Sequence, residues 1–137
     1  MSFLPSVSVI VPIYNGESDL PALLECLNAQ TYLNFECLLV DNNSNDRTSE
    51  LLKAAESDRI RSLNQSQIQS SYAARNLGIQ NATGEILAFT DADCRPEPNW
   101  LTDLIQPFID PAIGLVAGEI KALPGNRLLE QYADRQE

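Results

Sequence analysis

The sequence predicts a three-layer α/β/α domain with a mostly parallel, doubly wound sheet. Three observations predict it. Short β-branched or apolar runs alternate with helical stripes of Leu and Ala, and most runs end in a cluster of turn residues. The 137 residues, 44% hydrophobic and 20% charged, suit one domain with a packed core. No repeat, linker or low-complexity segment interrupts the alternation, so 1–137 reads as a single domain.

The elements follow in order. Val7-Ser-Val-Ile-Val11 is a β-branched run, and Pro12 followed by Tyr14-Asn15-Gly16 predicts that the strand stops there. Leu20, Leu23, Leu24 and Leu27 at i, i+3, i+4 and i+7 predict a helix, with Ser18 or Asp19 as N-cap and Pro21 tolerated in the first turn. Phe35 to Val40 is a second strand, broken by Asp41-Asn-Asn-Ser-Asn-Asp46, which leads into a helix containing Leu51, Leu52 and Ala55. A strand around Ile60 to Leu63 precedes Ser70-Ser71, a cap for a helix with Ala73, Ala74, Leu77 and Gly78 on one face and Gly84 as its stop. Ile86 to Thr90 is the fourth strand. Pro98 then opens a helix with the stripe Leu101, Leu104, Ile105 and Phe108. A fifth strand over Ile113 to Ala117, extendable to Ile120, and a short helix over Leu128 to Gln136 complete the pattern.

Composition excludes several function classes. Nine Lys plus Arg against nineteen Asp plus Glu give a net charge of -10, which repels nucleic acid and means that a polyanionic ligand needs a cation as mediator. The chain has no histidine, which removes Ser-His-Asp triads and His-ligated zinc and leaves carboxylates and metals as the main catalytic resources. Cys26, Cys37 and Cys94 form no C-x-x-C pair and no signal-peptide pattern opens the chain, so a cytoplasmic setting is expected. No apolar run approaches the roughly 20 residues that cross a bilayer.

In open α/β sheets, ligands bind beyond the carboxyl ends of the strands. The polar clusters fall there: Tyr14-Asn15, Asp41-Asn42-Asn43 and Asp91-Ala-Asp93. If the backbone stays extended past the strand, Asp91 and Asp93, two apart, project from one face with Cα atoms roughly 6–7 Å apart. Two such carboxylates repel each other, and a divalent cation shared with substrate phosphates removes that penalty. An N-cap or loop role for the pair is the alternative. No G-x-G-x-x-G follows any strand, which argues against a dinucleotide site. A phosphoryl-receiving signalling domain needs acids after its first strand and a Lys after its last; Pro12-Ile-Tyr-Asn15 and Lys121 are poor substitutes.

These residues resemble the family 2 glycosyltransferases, whose nucleotide-sugar-binding half has the Rossmann-like GT-A fold. Val7 to Asn15 is similar to the family's opening strand and loop, Leu39-Val-Asp-Asn-Asn-Ser-Asn-Asp-Arg-Thr48 to its second-strand motif, Ala74-Arg-Asn-Leu-Gly-Ile79 to its third-helix motif, and Phe89-Thr-Asp-Ala-Asp93 to its DxD metal motif. The similarity continues through Pro96-Glu-Pro-Asn-Trp-Leu101. It implies inverting, metal-dependent transfer of a hexosyl group from a nucleotide-diphosphate sugar to a saccharide or lipid-linked acceptor. It also implies that Pro12, Tyr14, Asn15 and Glu17 shape the donor's nucleoside pocket, with Tyr14 near the base, and that Asp41 and Asn42 line the base and ribose side. Arg75 would contact the donor or orient the acidic loop. Asp91 would face the ribose while Asp93 binds Mn²⁺ or Mg²⁺ with the diphosphate.

Alternatives stay open at several positions: Tyr14 packing on the sheet edge, Asp41 capping the next helix, Arg75 pairing with a surface acid, Glu17 favoured by the helix dipole, Cys94 packing as a bystander. Many family members carry Asp where this chain has Asn42, an amide that both donates and accepts, so the base is open. The family's acceptor half and general base lie downstream of residue 137. The chain is therefore expected to carry mainly the donor-binding portion, with Glu119 and Asp103 as candidates for the general base and a non-catalytic nucleotide-binding module as the second reading. Apolar surface left uncovered on the last strand and at Leu128 and Leu129 predicts self-association.

Overall fold

The computed structural model describes residues 3–114. Four strands, β1 (Val7–Ile13), β2 (Phe35–Asp41), β3 (Ile60–Asn64) and β4 (Ile86–Phe89), form one sheet in the order β3-β2-β1-β4. Every pairing is parallel. Parallel neighbours need a crossover, and the helices supply it: α1 (Leu20–Asn28), α2 (Thr48–Ala55) and α3 (Ser71–Asn81). A fourth helix, α4 (Trp100–Ile105), follows β4. The chain divides into two units after Asp103, and the sheet lies wholly in the first. The described part of the second unit comprises the end of α4, a 3-10 turn at Gln106–Ile109 and the residues to Gly114.

Burial explains why β1 and β2 read so clearly in the sequence. All of β1 is buried and β2 is buried except at Glu36, so both are apolar on two faces, as central parallel strands must be. Leu20, Leu23 and Leu27 of α1, Leu52 of α2, and Ala73, Ala74 and Gly78 of α3 close the core. At Gly78 an added Cβ would stand 2.6 Å from Ile10 Cγ2, so the absent side chain lets α3 approach β1.

Several expectations need correction. β1 does not stop at Pro12 but runs to Ile13, because Pro12 pairs with Val40 of β2 while the ladder to β4 already ends at Ile10–Phe89. Ile10 accepts from Thr90 and Ile13 from Asn42, so alternate residues address β4 and β2, and the missing N–H of Pro12 falls on the side β4 has left. Gly84 does not end α3, which stops at Asn81 with Ala82 as C-cap. α4 gives way to the 3-10 turn at Pro107, which cannot donate a helical hydrogen bond, so the stripe to Phe108 is not one helix. Ile113 and Gly114 are not in a strand; residues 115–120, the segment 128–136, Glu119, Leu128 and Leu129 lie outside the described residues.

A polar network ties the strands at the edge opposite their carboxyl ends. Ser8, wholly buried, donates to Glu36 Oε2 at 2.5 Å and accepts from the Gly84 N–H at 2.8 Å. Glu36 also accepts from the Thr83 N–H and hydroxyl and from Arg61, which donates again to the Asn81 carbonyl. Partial burial alone would raise the Glu36 carboxyl, but the bonds from Ser8 and Thr83 and the Arg61 charge outweigh it and hold the group below its ordinary value.

A Cβ at Gly84 would stand 2.6 Å from the Ser8 backbone nitrogen and 2.8 Å from the Val7 carbonyl carbon, atoms that cannot yield, so Gly84→Ala should lower stability in urea by about 3 kcal/mol. Glu36 with its lowered value stabilises the fold above the ordinary carboxylate range, and that contribution is lost as pH falls through the lowered value. The melting-temperature gap between wild type and Glu36→Gln should be widest near neutrality and shrink on acidification; a gap constant with pH would contradict the network.

Candidate functional site

With every pairing parallel, the carboxyl ends of the four strands share one edge. The strand order reverses at β1, so the switch-point crevice opens between the loops after β1 and β4. The two loops run close together: a Cβ on Gly16 would lie at ordinary contact distance, 3.6 Å, from the Ala92 Cβ, and it is Ile13 Cγ2 at 2.7 Å that requires the glycine.

The β1 loop is knitted to the β2 loop. Asn15 and Asn43 adopt φ of 49° and 60°, the left-handed region that Asn enters more easily than most residues. Asn15 N–H donates to Ser44 Oγ (2.8 Å), and its Oδ1 accepts from the Asn45 N–H (2.7 Å). Gly16 N–H donates to Thr48 Oγ1, Glu17 N–H to Asp46, and Glu17 Oε1 accepts from the Arg47 N–H. The side chains of Asn15 and Glu17 are thus engaged in loop structure, while Tyr14 stands half exposed. Pro12 is buried beneath them.

Asp41 and Asn42 are both buried. Asp41 does not cap α2; its Oδ1 accepts from the Ser44 N–H at 3.0 Å. Arg47 is the N-cap of α2, and Asp46 just before it accepts from the Thr48 N–H (2.9 Å) and hydroxyl (2.6 Å). The Thr48 hydroxyl chiefly holds the Asp46 carboxyl below its ordinary value; burial opposes it, and the Thr48 and Glu17 N–H groups add to the lowering. Asn42 Nδ2 donates to the carbonyls of Gln65 (3.0 Å) and Ile68 (2.9 Å), and Gln69 Nε2 returns a bond to the Asn42 carbonyl. A carboxylate has no N–H to give those carbonyls, which is a physical reason for the amide here.

Across the crevice the carboxylates of Asp91 and Asp93 and Cys94 Sγ lie within 4.8 Å of one another. Both acids are exposed, and among the described residues nothing pairs with the Asp93 carboxylate. Two exposed carboxylates at this separation form a donor set that could hold a hard divalent cation with open positions for other oxygens. Arg75 on α3 reaches Asp91 at 3.7 Å, an exposed pair of modest strength. By contrast, the buried Cys37 thiol is pushed up to about 12 by burial, which leaves it inert.

Two residues of this region carry no motif in the sequence. Arg95 binds the Ala92 and Cys94 carbonyls and Asp19, and the buried Gln30 accepts from the Leu101 N–H while donating to the Glu97 and Cys26 carbonyls. The scarcity of cations that marks Arg75 also marks Arg95. Asp103 sits exposed on α4, whose first turn is bonded to Gln30 and Thr31 just past the last turn of α1. The nine residues of α1, roughly 14 Å long, separate that end from the crevice, so the structure does not bring Asp103 to Asp91 and Asp93.

Comparison with known proteins converges on one family. The model of glycosyl transferase family 2 matches residues 8–136. The chain is 39% identical over 124 residues to glycosyltransferase AglE of Haloferax volcanii, covering 88% of this chain and 41% of that protein. It is 28% identical over 130 residues to the Escherichia coli UDP-Glc:alpha-D-GlcNAc-diphosphoundecaprenol beta-1,3-glucosyltransferase WfgD, covering 95% and 51%. The mannosyltransferase PcManGT of Pyrobaculum calidifontis, solved with GDP-Man and Mn²⁺, superposes with a TM-score of 0.77 at 28% identity over 82% of this chain and 35% of that one. The chain therefore spans about half or less of the length of these relatives. The ordered motifs, the parallel sheet with its acidic turn at the switch point and these matches place the chain in glycosyl transferase family 2, with the GT-A fold.

Proposed function

We propose that this chain carries the donor-binding portion of an inverting, cation-dependent hexosyltransferase. The observation that supports it most is the Asp91–Asp93 turn lying against the Gly16 loop at the switch point. A nucleotide-sugar donor is favoured by relatives named for UDP-Glc and solved with GDP-Man, and Mn²⁺ or Mg²⁺ by the oxygen donors of the turn. Asp93, and Asp91 beside it, would hold the cation, which when bound neutralises charge developing on the leaving diphosphate. Asp91 faces the ribose and is oriented by Arg75. Tyr14 lies beside the base, Asp41 lines the base and ribose side, and Asn42 acts there by fixing Gln65 to Gln69. Pro12, Asn15 and Glu17 shape the pocket through the loops they anchor.

Acceptor activation belongs to residues outside this set. A lipid-linked saccharide is the acceptor class we favour, given the diphosphoundecaprenol acceptor in the name of the Escherichia coli relative. No helix among the described residues is long and apolar enough to cross a membrane, and the free thiols of Cys26, Cys37 and Cys94 fit a cytoplasmic donor pool. Exposed Leu87 and Phe89 on β4 support self-association of the isolated chain.

Calorimetry with UDP and GDP tests the donor site. Binding should need Mn²⁺ and vanish in EDTA, since a chain of charge -10 holds a diphosphate poorly by itself. Asp93→Ala should cost about 2 kcal/mol, roughly 30-fold in affinity, and Asp91→Ala less because Arg75 already competes for that carboxylate. Equal binding with and without the metal would overturn the reading. With labelled nucleotide sugars and saccharide or lipid-linked acceptors, the chain should show only slow donor hydrolysis, because a positioned base contributes roughly 10²–10⁴-fold. Robust acceptor-dependent turnover would place a base within these residues and make Glu119 the first position to mutate.

A further inference from the structure

We infer that Arg95 is a positioning residue that sets the acidic turn against the first turn of α1, a role that rests on the nucleotide-sugar reading above. Its Nη1 donates to the carbonyls of Ala92 (3.1 Å) and Cys94 (2.9 Å), and its Nη2 to Asp19 Oδ1 (2.7 Å). One planar fork thus holds the Asp91–Cys94 turn, itself closed by the Cys94 N–H to Asp91 carbonyl bond, to the helix that follows the β1 loop. Both walls of the crevice are joined through this guanidinium.

The partner's behaviour supports the assignment. Asp19 is the N-cap residue of α1, yet its side chain makes no cap bond. An N-cap acid ordinarily accepts from the second or third helical N–H, and here the second helical residue is Pro21, which has none. The carboxylate turns to Arg95 instead, in a pair with side chains 26% and 35% exposed, less screened than a surface ion pair.

The geometry also keeps the acids open. A guanidinium beside two exposed carboxylates would ordinarily pair with them and compete with a cation. Arg95 has its Nη1 and Nη2 engaged by two carbonyls and Asp19, so it adds positive charge to the turn without occupying Asp93. Downstream, the Glu97 and Pro98 carbonyls bind Gln30 and Thr31, so the segment is fastened along α1 from one end to the other. Arg95 is the fastening nearest the acids.

The test measures Mn²⁺ affinity of the full chain by the electron-spin-resonance signal of free Mn²⁺, with saturating UDP or GDP, well below the melting temperature of each variant. Arg95→Ala should weaken Mn²⁺ binding roughly 10- to 100-fold, as loss of an outer partner of a metal site typically does. Asp19→Asn, which keeps shape but loses charge, should weaken it less, and Arg95→Ala with Asp19→Asn should be no worse than Arg95→Ala alone, because the two act as one unit. Arg95→Lys should restore only part, since an ammonium cannot span all three acceptors in the fork geometry. A purely structural role would lower melting temperatures and leave Mn²⁺ affinity unchanged, and that result overturns the inference. Should Arg95→Ala fail to fold, Asp19→Asn and Arg95→Lys decide it by the same readout. Amide exchange without metal gives an independent reading: the Cys94 N–H should exchange faster in the variants, and unchanged exchange counts against the clamp. If wild type itself binds no Mn²⁺ with either nucleotide, the donor-site reading fails while the exchange result still decides the role of Arg95.

Discussion

The architecture depends on β1 being paired in parallel on both sides, but over unequal lengths. β2 follows it from Val7 to Ile13, whereas β4 follows it only to Ile10. Pro12 enforces the difference. Pro12 has no N–H to give on the β4 side, so the ladder loses its next donor there, and after Thr90, whose N–H still bonds Ile10, no further residue pairs with β1. One missing donor in a buried strand thus falls where the β4 ladder ends, and the strand-order reversal at β1 determines which loops border the switch point.

What borders it is held by acids used as acceptors. A chain with nineteen carboxylates and nine cations cannot neutralise them pairwise, and several are engaged by backbone N–H groups instead. Asp41 takes Ser44, Asp46 takes Glu17 and Thr48, and Glu17 takes Arg47. These bonds make one rigid wall of the β1 and β2 loops. The opposite wall keeps its acids open because its two arginines bind elsewhere or weakly: Arg95 to carbonyls and Asp19, Arg75 to Asp91 at 3.7 Å. Electrostatic poise in this crevice comes from where the few cations are bound.

The strands and helices were legible because burial leaves a periodic record: Val7 to Val11, the Leu20 stripe, and Ser70, which caps α3 by accepting from Ala73 as its position predicts. The ends were less so. Pro12 looks like a terminator until the side its nitrogen faces is known, and Gly84 looks like a helix stop although its role is close approach to Ser8 and Val7. Of the site, the acidic turn and its neighbours could be placed from strand ends. The partners could not: Asn42 to Gln65 and Ile68, Arg95 to Asp19 and Gln30 to Leu101 span 23 to 76 residues, distances at which spacing carries no signal.

The central claim is that a nucleoside diphosphate binds between the β1 and β4 loops. Backbone amide shifts of labelled chain titrated with UDP and with GDP in Mg²⁺, a diamagnetic cation, test it most directly. The account predicts that one of the two nucleotides gives shifts concentrated at Tyr14 to Glu17, at Asp41 to Thr48 and at Asp91 to Arg95. At the opposite edge, an open hollow lined by Phe35, Ser57, Asp58 and Arg59, with Arg59 stacked 4.5 Å over the Phe35 ring, offers the competing location. Shifts concentrated there, with the acidic turn unmoved, would contradict the account.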